Sequence, residues 1–516
     1  MQIQPMTKHP PIPASGPAWW APQAWAQQTF GQAQLGDPRR TKRLVRLAGS
    51  MAREPEASLP RQHEGDWGQT KAAYRFLGNE AISAQQISEP VWQQTRAQAR
   101  DRQIVLLVHD DTEIDLGYES ATQGLGPVGN GSHCGFLVHS VLAIDPQAQQ
   151  QESILGIAFQ ESSKREPAPR QANGRKQTHA QRQKRERESQ RWWQAIEALG
   201  EAPAESCWVE VGDRYADMWN FFATSRQFKH EVLVRACHNR RLLSQADETV
   251  DYLLDHARRL PVQGQREIAV PSEHERRART ARLRISWGPV QIEPTDGKGH
   301  VQRSQPPLEA WVVRVWEPEP PLKVGALRAR GQKRTHGPRG KKKGQDPSAQ
   351  QQSERIEALE WVLISSLPVH SEQEAWRCVQ WYGSRWTIEE LHKVIKTGCR
   401  VEERHLGTLH GHQTLLAVVT PIAVRLLQLR QVQEQDPQAP AESWVGTLAC
   451  QVVATQLQLS GEPMTIHTFL RGVAKLGGFL GRKSDGDPGW LTLWRGWQTL
   501  QLLLHGVHLA DGLTCG

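Results

Sequence analysis

The stretch WYGSRWTIEELHKVIKTGC, Trp381 to Cys399, reads as a helix with two chemically different sides. At ~100° per residue, Tyr382, Arg385, Glu389, Lys393 and Lys396 fall within an arc of roughly 80°. Ile388, Leu391 and Ile395 fall opposite and form the face that packs. A carboxylate flanked by an arginine and two lysines can hold a divalent metal while the cations grip phosphates on either side of it. A salt-bridged surface helix carries the same kinds of charge. The surrounding chain decides between the two.

Outward from this helix lie apolar runs with the length of strands. EWVLISSLPV (360–369) comes just before it. Upstream, QIVLLVHDD (103–111), FLVHSVLAID (136–145) and SILGIAFQ (153–160) follow one another closely. A helix over about 186–199, a strand CWVEVGD (207–213), a helix over about 214–226 and a strand EVLVRA (231–236) come next. Three strands, helix, strand, helix, strand is the order of an RNase H-like mixed α/β sheet. Between about 240 and 357 the pattern changes to short strands such as REIAVP and AWVVRVW. A run without acids, LRARGQKRTHGPRGKKKG (327–344), then carries eight Lys or Arg. The expected layout is a helical domain over 1–90, a catalytic domain over 91–400 with a β-rich insertion at about 240–357, and a helical domain over 401–516.

Composition narrows the partners. The net charge is +8 and the pI about 9.2, which favours an acidic partner, nucleic acid first. The basic residues are clustered: Asp37-Pro38 opens a helix bearing Arg39, Arg40, Lys42, Arg43 and Arg46. Seven scattered cysteines without a Cys-x-x-Cys pair argue for a reduced cytosolic protein with neither disulfides nor a structural zinc site. His405, His410 and His412 lack the acid or cysteine spacing that would complete a metal site. No signal peptide is expected, and no window approaches the ~20 apolar residues of a membrane span. Asp110, Asp111 and Asp213 stand where apolar strand runs end, and Glu389 stands on the helix. Carboxylates so placed suit a two-metal phosphodiester site. Adjacent Asp110 and Asp111 point to opposite faces of a strand.

The spacing Tyr382-(2)-Arg385-(3)-Glu389-(6)-Lys396 resembles the signature of bacterial cut-and-paste DDE transposases of insertion-sequence family four, the Tn-five-like group. LGDPRRTKRLVRLA (35–48), AAYRF (72–76), DDT (110–112), VHSVL (138–142), GDRYAD (212–217), KLGGFLGRK (475–483) and WLTLWRGWQTLQ (490–501) extend the resemblance in order along nearly the whole chain. The resemblance implies catalytic, metal-binding acids at Asp111, Asp213 and Glu389, the first because it immediately precedes Thr112. It implies two Mg²⁺ ions, with Mn²⁺ as a substitute. DNA contacts are implied at Tyr382, Arg385, Lys393, Lys396 and Arg235, and at Arg39, Arg40 and Arg43. Trp361 would stack on a flipped base during hairpin formation. Some relatives carry a lysine where this chain has Cys237, with Arg240 and Arg241 as candidate replacements. The implied partners are the terminal inverted repeats and target DNA, with a homodimer at the synapse and a nucleoid-associated place in the bacterial cytoplasm. An idle or inhibitory DNA-binding relative and a simple RNase H-like nuclease are the alternatives.

Overall fold

In the computed structural model the chain forms two units, Met1–Trp208 with Trp386–Gly516, and Val209–Arg385. The structure describes residues 21–63, 65–118, 121–147, 153–165, 188–243, 251–270, 279–295, 301–302, 304–320, 358–459, 463–482 and 485–514.

The first unit opens with helices α1 (Pro22–Phe30), α2 (Pro38–Arg53), α3 (Leu59–Gln62), α4 (Trp67–Leu77) and α5 (Ala84–Arg100). The expected start of α2 is present. The Asp37 carboxylate accepts the Arg39 N–H at 2.8 Å, and Pro38 occupies the first turn, where no backbone donor is needed. A reciprocal Ser83–Gln86 capping box starts α5, so the expected boundary at residue 90 falls inside a helix.

Strands β1 (Ile104–Asp115), β2 (Gly126–Val128), β3 (His133–Asp145) and β4 (Ser153–Ser163) follow. β3 is central and antiparallel to all three others. Helix α6 (Gln190–Leu199) and α5 bury Val105, Leu107, Val141, Ala143 and Leu155 together with Trp208. β1 is longer than its apolar run suggests. Glu113 pairs with Leu137 and Ile114 with Phe136, so the ladder carries the strand past the Asp pair to Asp115. Asp110 and Asp111 are therefore mid-strand rather than at its end.

The chain enters the second unit within β5 (Cys207–Gly212). A 3₁₀ turn (Arg214–Ala216) and α7 (Trp219–Gln227) connect β5 to β6 (Glu231–Arg235), which runs parallel to it. β7 (Arg241–Leu242), β8 (Asp251–Tyr252), α8 (Leu253–Arg259), β9 (Gly264–Val270), β10 (Arg279–Ile292) and β11 (Leu308–Trp316) come from the expected insertion. β12 (Glu360–Ser365) joins β6 to β11 by antiparallel pairing on both sides. Helix α9 (Glu372–Gly383) closes this unit.

The signature segment is two helices, not one. α9 stops at Gly383, where the helix former is weakest. Ser384 Oγ turns back to the Gln380 carbonyl at 3.4 Å. α10 (Trp386–Lys393) starts afresh in the first unit and runs into a π-turn, Val394–Gly398. There the Cys399 N–H bonds the Val394 carbonyl at 2.9 Å, an i→i+5 closure that shifts the helical phase. Tyr382 and Arg385 belong to the second unit, and Glu389, Lys393 and Lys396 to the first.

The first unit ends with α11 (Leu409–Gln435), α12 (Ala441–Val445), α13 (Thr447–Gln456), α14 (Ile466–Leu476) and α15 (Trp490–Thr514). Contrary to the sequence expectation, α11 is long and apolar enough to span a membrane, over Leu409–Gln433. In the fold it is a core helix, with 78% of that window buried. α14 and α15 meet backbone to backbone. A β-carbon on Gly496 would overlap the Val473 carbonyl, and one on Gly477 the Thr492 carbonyl.

Candidate active site and nucleic-acid interface

The two faces of β1 separate the adjacent aspartates. On one face, Asp111 is held by residues of β3 and α6. His139 Nδ1–H donates to its Oδ1 at 2.8 Å, Trp192 Nε1–H donates to Oδ2 at 3.0 Å, and Arg191 Nε lies 3.4 Å away. With Nδ1 donating, His139 Nε2 accepts from His109 Nδ1–H at 3.1 Å. Burial pushes the Asp111 carboxyl up, but His139, Arg191 and Trp192 outweigh it and hold it below the usual carboxylate range. Burial lowers the His139 imidazole, against the pull of Asp111. Asp111, with its side chain 30% exposed, thus stands at the edge of a buried network of His109, His139, Arg191 and Trp192.

On the other face, Asp110 meets α10. His392 Nδ1 lies 3.5 Å from Asp110 Oδ2, and His392 stands one turn after Glu389 on the same helix. Register gives the same division: Asp110 pairs with Ser140, which contacts His392, and Asp111 pairs with His139. In the first unit the acid facing the helix of Glu389 is Asp110. Its neighbour Asp111, preferred on the family pattern, faces α6. Strand alternation puts the two acids on opposite faces, as the sequence indicated. His392 was not singled out in the sequence, although its spacing of three from Glu389 places both within one helical turn.

Glu389 is half-buried, Lys393 exposed, and Lys396 half-buried. Lys396 Nζ lies 3.7 Å from Glu402, whose carboxylate also accepts the Asp115 N–H at 3.1 Å. Through the π-turn, Lys396 meets Glu402 close to the end of β1.

In the second unit, Asp213 follows the end of β5 and accepts the Tyr215 N–H at 2.8 Å. Asp217 is fully buried and binds Arg240 Nε at 2.5 Å and the Cys237 and His238 N–H groups at 2.7 and 2.8 Å. Arg240 is therefore an interior partner of Asp217 and no substitute for a phosphate contact. Arg241 pairs with Glu293 at 2.7 Å. Tyr382, Trp361, Arg235 and Arg385 do come together. The Trp361 ring meets Tyr382 edge-on at 5.4 Å, the Arg385 guanidinium lies 6.0 Å from the Tyr382 ring, and Arg235 Nη2 donates to the Glu360 carbonyl at 3.1 Å. Burial raises the Tyr382 hydroxyl's pKa despite both arginines, so the phenol stays a neutral donor. Trp361 is half-buried, which leaves part of its ring accessible.

Along α2 the cations divide into two groups. Arg40 donates to the Leu35 carbonyl at 3.0 Å and Arg43 to Gln69 at 2.5 Å. Arg39, Lys42 and Arg46 are exposed, with Arg39 paired to Asp37 at 3.0 Å. The exposed edge of α4 adds Trp67, Lys71 and Tyr74, with Lys71 Nζ 5.3 Å from the Trp67 ring. The sequence analysis did not single out these three residues, although their i, i+4, i+7 spacing would have placed them on one helix face. The basic run 327–344 and Arg182, Lys184, Arg185 and Arg187 lie outside the described residues. Among the described residues, no group of three or more His, Cys, Asp or Glu is arranged to hold a metal ion. The six described cysteines are free thiols.

Two family models match the ends of the chain. "Transposase DNA-binding" matches residues 22–82, which include α2 and α4. "Transposase Tn5 dimerisation domain" matches residues 449–514, which include α14 and α15. The class these matches support is that of the transposases, DNA-binding proteins that act as dimers. More narrowly, they support a Tn5-like transposase.

Proposed function

We propose that the chain catalyses cut-and-paste transposition of an insertion sequence, with Asp110, Asp213 and Glu389 as the catalytic acids. The observation that carries this reading is the approach of Asp110 to the helix of Glu389 through His392, 3.5 Å from Asp110, in a chain with transposase DNA-binding and dimerisation regions. Asp110 takes the role first expected of Asp111 because Asp111 is committed to His139, Arg191 and Trp192 on the opposite face.

An all-oxygen donor set suits Mg²⁺, and Mn²⁺ as a substitute. Bound there, the ions would lower the pKa of the attacking water and stabilise the leaving oxygen. Asp110, Asp213 and Glu389 would hold them. Lys393 and Lys396 would bind phosphates near the cut, and Arg385, Arg235 and Tyr382 would hold the strand beside Trp361. A nick frees a 3′ hydroxyl, which attacks the opposite strand and leaves a hairpin on the transposon end. Water opens the hairpin, and the 3′ hydroxyl then joins target DNA. Extruding a base at the hairpin calls for an aromatic platform, the role of Trp361. Two copies of the chain would hold the two terminal inverted repeats together, on the bacterial nucleoid in the cytoplasm.

Gel-shift and cleavage assays on one duplex, carrying the inverted repeats that flank the gene, test this reading. Asp110→Ala, Asp213→Ala and Glu389→Ala should each abolish cleavage and leave binding intact. Asp111→Ala should retain cleavage where the protein is folded. Full cleavage by Asp110→Ala, with none by a folded Asp111→Ala, would return the role to Asp111.

A further inference from the structure

The β-rich insertion carries a water-facing sheet surface that neither family match covers. Four strands of the second unit place Gln265, Arg284, Trp316 and Glu360 side by side in one row. Partners in register point to the same face of a sheet, as do residues two apart on a strand. Glu267, paired with Arg282, and Arg314 on β11 therefore share this face. α9 packs on the opposite one, where the Arg266 guanidinium lies 4.8 Å from the Trp376 ring and Leu283 and Ile285 are buried. Gln265, Glu267, Arg282 and Arg284 are exposed.

The charges on this face do not balance. Arg282 pairs with Glu267 at 3.2 Å, while Arg314 and Arg258 of α8 share Glu360 at 2.9 and 3.6 Å. Arg284 makes no ion pair among the described residues. Four arginines against two carboxylates leave a surplus of two positive charges. Exposed ion pairs hold their partners weakly, so these cations can turn to a phosphate at little cost, and the guanidinium fork suits phosphate oxygens. The Arg314 guanidinium already lies over the Trp316 ring at 4.1 Å, which leaves the ring a poor stacking platform. Such a face fits the outer phosphates of a duplex better than unstacked bases.

We propose that this face of the insertion binds the phosphate backbone of a DNA duplex, with Arg282 and Arg284 as its main contacts. This rests on the reading of the chain as a protein that acts on DNA. Transposon end and target DNA offer the same phosphates, and phosphate contacts do not tell them apart by sequence.

The test is fluorescence anisotropy of the full-length chain over a salt series, with three probes: a duplex carrying the inverted repeat, a random-sequence duplex, and single-stranded oligo-dT. The double variant Arg282→Gln, Arg284→Gln should bind duplex severalfold more weakly. Its log–log salt slope should flatten by about two units, roughly 0.9 for each lost contact. A loss on the random duplex alone assigns the face to target DNA, a loss on the inverted repeat alone assigns it to the transposon end, and a loss on both assigns it to either duplex in turn. Glu267→Gln removes the acid beside Arg282 and should tighten duplex binding, a gain that damage to the fold does not imitate. The substituted side chains are exposed, so thermal midpoints should match that of the parent. An unchanged slope on both duplexes in the double variant overturns the inference. So does weakened or unchanged duplex binding by Glu267→Gln, or a loss confined to oligo-dT. Lys42→Gln with Arg46→Gln, two exposed cations of α2, separates the two readings. If that variant binds duplex more weakly and the insertion variant does not, only this inference has failed; if the parent binds neither duplex, the reading of the chain as DNA-binding has failed.

Discussion

Asp111 and His139 link folding to acid. The neighbours of Asp111 hold its carboxyl below the usual range, so the stability it adds is complete above its unfolded pKa near 4 and is lost as pH falls through the folded value. His139 is depressed by burial, and its contribution fades as pH drops below about 6.5. Both push the same way. Asp111→Ala would leave the donors of His139, Trp192 and Arg191 without their acceptor, at a cost of about 1–3 kcal/mol. Urea unfolding at neutral pH should show that loss, and the gap between mutant and parent should narrow toward pH 3. His412 on α11 adds to the same slope. Burial lowers its pKa to about 4, which against about 6.5 in the unfolded chain amounts to about 3 kcal/mol lost on acidification between those values. His412→Phe should flatten the stability profile across that window. An unchanged slope in urea melts at successive pH values would remove His412 from the account.

Among the elements, strands were legible where apolar runs were long. β3, β4, β5 and β6 lie within a few residues of their expected positions because each run is buried on a sheet. The end of β1 was not legible, because polar Thr112 and Glu113 are kept in the ladder by apolar partners on β3. The break between α9 and α10 and the π-turn after Lys393 were hidden too, since helical periodicity assumes constant phase. Residue types at the candidate site were readable, and which face each one takes was not. The burial of Arg240 against Asp217 and the direction of His392 both depend on partners distant in the chain. At the start of β12, half-buried Trp361 beside Tyr382 should serve hairpin formation more than nicking. Trp361→Ala should slow the hairpin step about tenfold to a hundredfold, the value of a lost stack of ~1–3 kcal/mol. Time-resolved denaturing gels separate the two steps; equal slowing would make Trp361 a structural residue.

Over the whole molecule, the net charge is +8 and the two family matches support DNA binding and dimer formation. Neutralising Lys341, Lys342 and Lys343 should weaken binding to specific and random duplexes alike, because phosphate contacts carry no sequence information. The log–log salt slope should flatten by about one unit for each lost contact, and an unchanged slope would take this run out of the DNA channel. Pairing rests on the region that includes α14 and α15. Gly496→Ala would drive a methyl into the Val473 carbonyl, an overpacking worth about 1–3 kcal/mol. It should abolish paired-end complexes on native gels while single-end binding through residues 22–82 persists. In genetic terms, a glycine codon becomes an alanine codon by one base change. On the proposed function, a single substitution at Gly496 should therefore turn one gene copy into a source of protein that occupies ends it cannot unite. In a cell carrying several copies, that allele should be dominant over its intact siblings.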